Sequence, residues 1–172
     1  YKRQSQFNNR HGQLPLGRGI GIACSAYLTG AGLPIYWNKM PHSGVQMKID
    51  RGGGVTVFCG STDIGQGSDS VLATIVAEEF AIDPEQVIVV TADTDLTPVD
   101  LGSYSSRVTL MTGNAAIEAC RPLKEKLLSA VAEVFQCTSE SLTLSEGRVV
   151  SLRDTSKTVD FAEAVQWAEA KF

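Results

Sequence analysis

A strand-to-helix junction, Gly60-Ser61-Thr62-Asp63-Ile64-Gly65-Gln66-Gly67-Ser68, constrains this chain more than any other feature. Ahead of it, Val55-Thr56-Val57-Phe58 is apolar and strand-like. Behind it, Leu72, Ile75, Val76 and Phe80 recur at helical spacing and define an amphipathic helix from Val71 to about Phe80. A glycine-rich turn at this position aims backbone N–H groups at one point, where an anion is favoured. Gly65 and Gly67 allow a ligand close to the backbone. Gln66 between them carries both a carbonyl acceptor and an NH₂ donor, which suits a heterocycle or a metal-oxo group. Ile64 precedes them in the same loop. An ordinary strand-to-helix turn with Ser68 as N-cap accounts for the same residues. A second loop, Gly102-Ser103-Tyr104-Ser105-Ser106-Arg107, also runs into a helical stretch, from about Val108 to Phe135. Ser103, Ser105 and Ser106 offer hydroxyls and Arg107 a phosphate partner; helix capping by serine explains them equally well. Two such loops in one small domain point to a large, phosphate-bearing ligand held from two sides.

Elsewhere hairpins and helices alternate without a strict β-α-β rhythm. Ile20, Ile22, Cys24 and Ala26 alternate with small residues, the period of a strand. Gly17-x-Gly19-x-Gly21 is not a dinucleotide fingerprint, because its sixth position is Ile22 and a strand rather than a helix follows. Gly30 to Pro41 reads as a loop with exposed Tyr36 and Trp37. Val45 to Asp50 alternates cleanly, Arg51-Gly52-Gly53-Gly54 turns, and Val55 to Phe58 returns as a hairpin. Asp83-Pro84 ends the first helix and Val87 to Val90 is a short buried strand. Thr91 to Asp100, with Asp93, Asp95 and Asp100, reads as a solvated acidic loop without EF-hand spacing. Leu142 to Leu144 and Val149-Val150 flank a turn at Ser145-Glu146-Gly147. Asp160 and Glu163 read as a capping box opening a last helix, Phe161 to Ala170. The fold class is α+β with a mixed sheet.

The 172 residues suffice for one domain with a real core. A net charge of −4 argues against nucleic acid and membrane surfaces as partners. No apolar run approaches the roughly 20 residues of a spanning helix, and no signal peptide is visible. Cys24, Cys59, Cys120 and Cys137 form no CxxC pair, so neither a zinc site nor an iron–sulfur cluster is written here. Reduced, mostly buried thiols in a cytoplasmic protein are expected. His11 and His42 lie in polar, Gly/Pro-containing stretches and read as surface residues. Residues 1–14 are polar and read as a tether or cut segment, with the domain spanning 15–172. The chain opens on Tyr1 rather than Met, as an internal piece of a longer polypeptide would.

Taken together, the Gly60–Gly67 loop and, about 40 residues later, the Gly102–Arg107 loop resemble the molybdenum-binding large subunit of the xanthine dehydrogenase/aldehyde oxidase family. Gly113-Asn114-Ala115-Ala116 fits the same pattern, and the resemblance extends from about Arg18 to Phe172. The Ser-Tyr-Ser-Ser-Arg form of the second loop looks most like the 4-hydroxybenzoyl-CoA reductase branch. The resemblance implies molybdopterin cytosine dinucleotide with molybdenum as cofactor. Ile64, Gly65, Gln66 and Gly67 would lie on one side of it, and Ser103, Ser105, Ser106 and Arg107 on the other. FAD and iron–sulfur clusters would sit on partner subunits or domains, and the substrate would be a CoA thioester losing its phenolic hydroxyl by reduction. The family's glutamate, in a Gly-Glu-Gly-type motif, and its Phe-Gly-Gly loop are not in this stretch; Ser145-Glu146-Gly147 lies in a hairpin turn. The expectation is therefore a central piece of the large subunit that does not turn over substrate alone. Another molybdenum hydroxylase (for aldehydes, purines, nicotinate or carbon monoxide) and a non-catalytic α+β binding module are the alternatives.

Overall fold

The structure is a computed structural model that describes residues 21–27 and 42–172. In chain order the elements are β1 (Val45–Ile49), β2 (Val55–Cys59), α1 (Ser68–Phe80), β3 (Val87–Thr91), α2 (Val108–Phe135), β4 (Leu142–Ser145), β5 (Arg148–Ser151), β6 (Thr158–Asp160) and α3 (Phe161–Lys171). The first sheet is mixed, with order β1-β2-β3: β1 pairs antiparallel with β2, and β3 pairs parallel with β2 after the α1 crossover. The second sheet, β4-β5-β6, is an antiparallel meander.

Local chemistry explains the turns. In the β1–β2 hairpin Asp50 Oδ1 accepts hydrogen bonds from the N–H groups of Gly52 and Gly54 at 2.7 and 3.1 Å. A Cβ on Gly54 would fall 2.6 Å from Asp50 Oδ2, so the turn needs glycine there. Between β4 and β5, Glu146 and Gly147 both take positive φ (49° and 70°), the geometry of a two-residue type I′ turn. Both long helices end on left-handed residues, Ala81 and Gln136, and close with Ile82 N–H on Ala77 O and Cys137 N–H on Ala132 O.

One core runs through both sheets. Val55, Val57 and Cys59 point inward from β2, Leu72, Val76 and Phe80 from α1, Ala116, Cys120, Leu127 and Val131 from α2, and Val149, Val159, Phe161 and Val165 from the second layer. Phe80 and Phe161 meet tilted, with ring centroids 5.7 Å apart.

The α+β class, the mixed sheet, both hairpins and the long helix agree with the sequence reading. Several details differ. Residues 21–27 have no regular structure and are exposed, so the strand expected at Ile22, Cys24 and Ala26 does not form there. The expected tether, residues 1–14 with His11, and the Tyr36–Trp37 loop lie outside the described residues. The first helix starts at Ser68, with left-handed Gly67 as its N-cap; Ser68 is inside the helix and buried. Asp160 is the N-cap of α3 but makes no side-chain cap. Its carboxylate pairs instead with Arg148, its cross-strand neighbour, at 3.0 Å. Strand β6 was not legible, because Thr158-Val159-Asp160 is too short to show a period.

Phe80 is fully buried at the junction of the two layers. Phe80→Ala should lower unfolding stability by about 3–5 kcal/mol through the cavity it leaves. Urea denaturation checks this, and a loss below about 1 kcal/mol would contradict the shared core.

Candidate cofactor cleft

The two loops picked out in the sequence face each other across one cleft of ≈ 370 Å³. Ile64, Gln66, Ser68 and Val71 line one side; Ser103, Tyr104, Ser106, Arg107, Val108 and Thr109 line the other. The volume is within the range of small-ligand sites. The first turns of α1 and α2 both border it, so two helix N-termini meet there.

The first loop is closed by its own side chains. Asp63 Oδ1 accepts from Gly65 N–H at 2.8 Å and Gly67 N–H at 3.3 Å, and Oδ2 accepts from Asp69 N–H at 3.3 Å. The anion at the N-terminus of α1 is thus the chain's own carboxylate. These backbone donors, Gly65 foremost, hold the Asp63 carboxyl below the ordinary carboxylate range. Gln66 also turns inward: its Oε1 accepts from Ile64 N–H at 2.6 Å, and its Nε2 donates to Thr62 O at 3.1 Å and Ser68 Oγ at 3.0 Å. Gly65 and Gly67, at φ 98° and 76°, have no atom within 4 Å of where a Cβ would sit, so this stretch of backbone is open on that side. Asp69 has a buried Oδ1 without a hydrogen-bond partner. Burial, and then the neighbouring Asp63 charge, pushes its carboxyl above the ordinary range.

The second loop hangs on a buried ion pair. Arg107 Nη1 lies 2.7 Å from Asp100 Oδ1, and both side chains are fully buried. Nη1 also donates to Gly102 O at 2.7 Å, and Nη2 donates to Ser43 Oγ at 2.7 Å and to His42 O. Arg107 Nε is buried and has no hydrogen-bond partner. The guanidinium therefore serves the loop with its four terminal donors, rather than standing ready for a phosphate as the sequence reading had it. Asp100 is likewise no solvated loop residue: it accepts from Gly102 N–H at 2.8 Å and Ser43 Oγ at 2.6 Å. Ser103 joins the walls, accepting from Thr62 N–H at 3.2 Å and donating to Thr62 O at 2.5 Å. Ser105 and Ser106 take left-handed φ of 54° and 49° in succession, and the Ser105 hydroxyl lies 3.1 Å from Tyr27 Oη.

Of the eight residues singled out in the sequence, Ile64, Gln66, Ser103, Ser106 and Arg107 line the cleft, while Gly65, Gly67 and Ser105 lie in the same loops outside its lining. Asp63 and Asp100, which organise the loops, were not among them. Their signal was the Asx-turn spacing, a carboxylate two residues ahead of the N–H of Gly65 or Gly102. Cys59 and Cys120 are buried, and burial raises the Cys59 thiol and pushes that of Cys120 up to about 12. Cys24 is exposed. Among the described residues, no group of three or more His, Cys, Asp or Glu is placed to hold a metal ion, and no helix is long and apolar enough to cross a membrane.

Fold and cleft together define a small α+β domain with a polar, hydroxyl-rich cleft at paired helix N-termini. Over residues 1–171 the sequence matches the molybdopterin cofactor-binding domain, and the chain belongs to that family. It is 37% identical over 131 residues to the 6-hydroxypseudooxynicotine dehydrogenase complex subunit gamma of Paenarthrobacter nicotinovorans, covering 76% of this chain and 16% of that protein. It is 33% identical over 150 residues to a putative xanthine dehydrogenase molybdenum-binding subunit of Escherichia coli, covering 87% of this chain and 19% of that protein. The fold superposes on quinoline 2-oxidoreductase from Pseudomonas putida 86 with a TM-score of 0.69 and 27% identity, over 76% of this chain and 17% of that one. The chain thus spans between a sixth and a fifth of the length of these relatives.

Asp63 of the first loop and Asp69 in the first turn of α1 should titrate on opposite sides of the ordinary value of about 3.9. Asp63, lowered, stabilises the folded loop above that value, and the contribution is lost as pH falls through its folded pKa. Asp69, raised, contributes below that value, and the contribution is lost as pH rises through its folded pKa. A carboxyl-carbon NMR titration checks the order; Asp63 titrating above Asp69 would contradict the loop geometry.

Proposed function

We propose that this chain is one wall of the cofactor cleft in the molybdenum-binding subunit of an oxidoreductase, with residues 15–172 forming that wall. The observation that carries the reading is the single cleft bordered by both loops and by the first turns of α1 and α2. The residues fit a pterin dinucleotide. Gly65 and Gly67 leave open backbone for a flat ring system to approach. Ser106 and the first turn of α2 offer neutral donors to a diphosphate. Molybdopterin cytosine dinucleotide is the form we assign, and when bound it supplies two-electron redox chemistry at molybdenum. The chain's own residues bind and orient: Ile64 and Tyr104 border the cleft with apolar surface, and Ser103 holds the walls together. Neutral donors and dipoles suffice for a polyanion, so a net charge of −4 is no obstacle.

The remainder of the large subunit would complete the site, and iron–sulfur and flavin partners would deliver electrons. The chain alone would be inactive, and the cytoplasm is the compartment we assign. For the substrate, the Ser-Tyr-Ser-Ser-Arg loop supports reduction of 4-hydroxybenzoyl-CoA to benzoyl-CoA: two electrons and two protons enter, and the phenolic oxygen leaves as water. A second reading, another hydroxylase of the family, is favoured by the likeness to a xanthine dehydrogenase subunit and to a 6-hydroxypseudooxynicotine dehydrogenase subunit.

Metal and nucleotide analysis of the full-length subunit, purified with its partners, tests the reading. Molybdenum together with CMP released by acid hydrolysis is expected; absence of both from a fully assembled complex would leave the loops as helix caps. Dye-linked assays with 4-hydroxybenzoyl-CoA and with purines or N-heterocycles then separate the two substrates. Gly65→Val or Gly67→Val should abolish molybdenum loading while far-UV circular dichroism is unchanged, because a β-branched residue does not hold the loop's positive φ and its side chain stands on the open side of the loop. Normal metal content in both variants would remove this loop from the site.

A further inference from the structure

We propose that Asp100 is the positioning residue of this cleft, acting through Arg107 to hold the Gly102–Arg107 loop in the shape that lines it. The proposal rests on the cleft being the molybdenum cofactor site. Three observations carry it. Ser105 and Ser106 are consecutive non-glycine residues at positive φ, a conformation that persists only where the surroundings impose it. Asp100 and Arg107 bracket that stretch. Asp100 Oδ1 takes both Gly102 N–H and Arg107 Nη1, and the same Nη1 holds Gly102 O, so the two ends of the loop are tied in one closed set of bonds. The bracket is also anchored outside the loop. Asp100 Oδ2 accepts from Ser43 Oγ at 2.6 Å and from Thr112 Oγ1, in α2, at 3.4 Å.

The pair does not belong to the hydrophobic cluster that holds the sheets and helices together. Its bonds go to the loop, to residues 42–43 and to the start of α2, all at the cleft end of the fold. Both charges are fully buried, so solvent and salt screen their attraction little. The residue facing the ligand is then Ser106, while Asp100 sets where it stands.

The test uses the full-length subunit with its partners. Asp100→Leu combined with Arg107→Met replaces the ion pair by apolar side chains, so no charge is left unpaired, but Gly102, His42 and Ser43 lose their partners and the melting temperature should fall. The expected result is a complex that still assembles and whose molybdenum and CMP content falls by about tenfold or more. Ser43→Ala removes an anchor shared by Asp100 and Arg107 while leaving their ion pair in place, and serves if the double variant does not assemble. It should release cofactor several-fold faster on dilution and alter the Mo(V) electron paramagnetic resonance signal. A folded double variant with full cofactor content, or a Ser43→Ala complex with unchanged release and signal, overturns the role of Asp100. Wild-type complex lacking molybdenum and CMP would instead overturn the cofactor assignment itself.

Discussion

Two helices that start side by side and run the same way are the arrangement on which the rest of this structure depends. Both begin at the cleft and pack against each other as they leave it. A Cβ on Gly113 of α2 would sit 3.0 Å from Ile75 Cδ1 of α1, and further along Lys124 Nζ meets Glu79 Oε2 at 2.9 Å. Such closeness requires small residues, and the N-terminal half of α2 buries Thr112, Gly113, Ala116 and Cys120. Its C-terminal half buries Leu127, Ala130 and Val131, and α3 packs along the same helix. The arrangement has an electrostatic consequence: two positive dipole ends are brought together, and they repel. Each is met by a carboxylate, Asp63 at the first turn of α1 and Asp100 beside the start of α2.

The carboxylates act differently because their surroundings differ. Asp63 takes backbone N–H groups directly and satisfies donors that a helix N-terminus leaves open. Asp100 has a full positive charge against it, and burying that pair is favourable only because further hydrogen bonds complete the set. With Arg107 neutralised inside the wall, the cleft presents hydroxyls rather than a net positive charge.

What the sequence discloses follows the range of the interactions involved. Period-two alternation in Val45–Ile49 and helical period through Val108–Phe135 are local, and both elements stand where the periods put them. The two loops were also legible, because glycine and serine between a strand and a helix announce their own backbone geometry. The roles within the loops were not. Gln66 lines the cleft as a ligand donor would, but its amide is also bonded to Thr62, Ile64 and Ser68, which no local pattern announces. Arg107 and Asp100, seven residues apart, look like a free cation and a solvated acid; only the packing of residues 42–43 and Thr112 around them makes a buried pair. Asp160 misled for a similar reason, since Arg148 reaches it across a strand pair that no local pattern reveals.

The self-contained bonding of the loops bears on how the cleft would work. Asp63, Gln66 and Ser103 close both loops with bonds from the chain itself, and those bonds offset part of the entropy of ordering these residues. A ligand entering such a site does not have to organise its walls, which leaves more of the contact energy as affinity. The left-handed Ser105 and Ser106 fit the same logic: their strain is borne by the buried pair that brackets them. A large cofactor held by many weak, neutral contacts needs walls of this kind. Any loosening of either loop would be paid for in every contact at once.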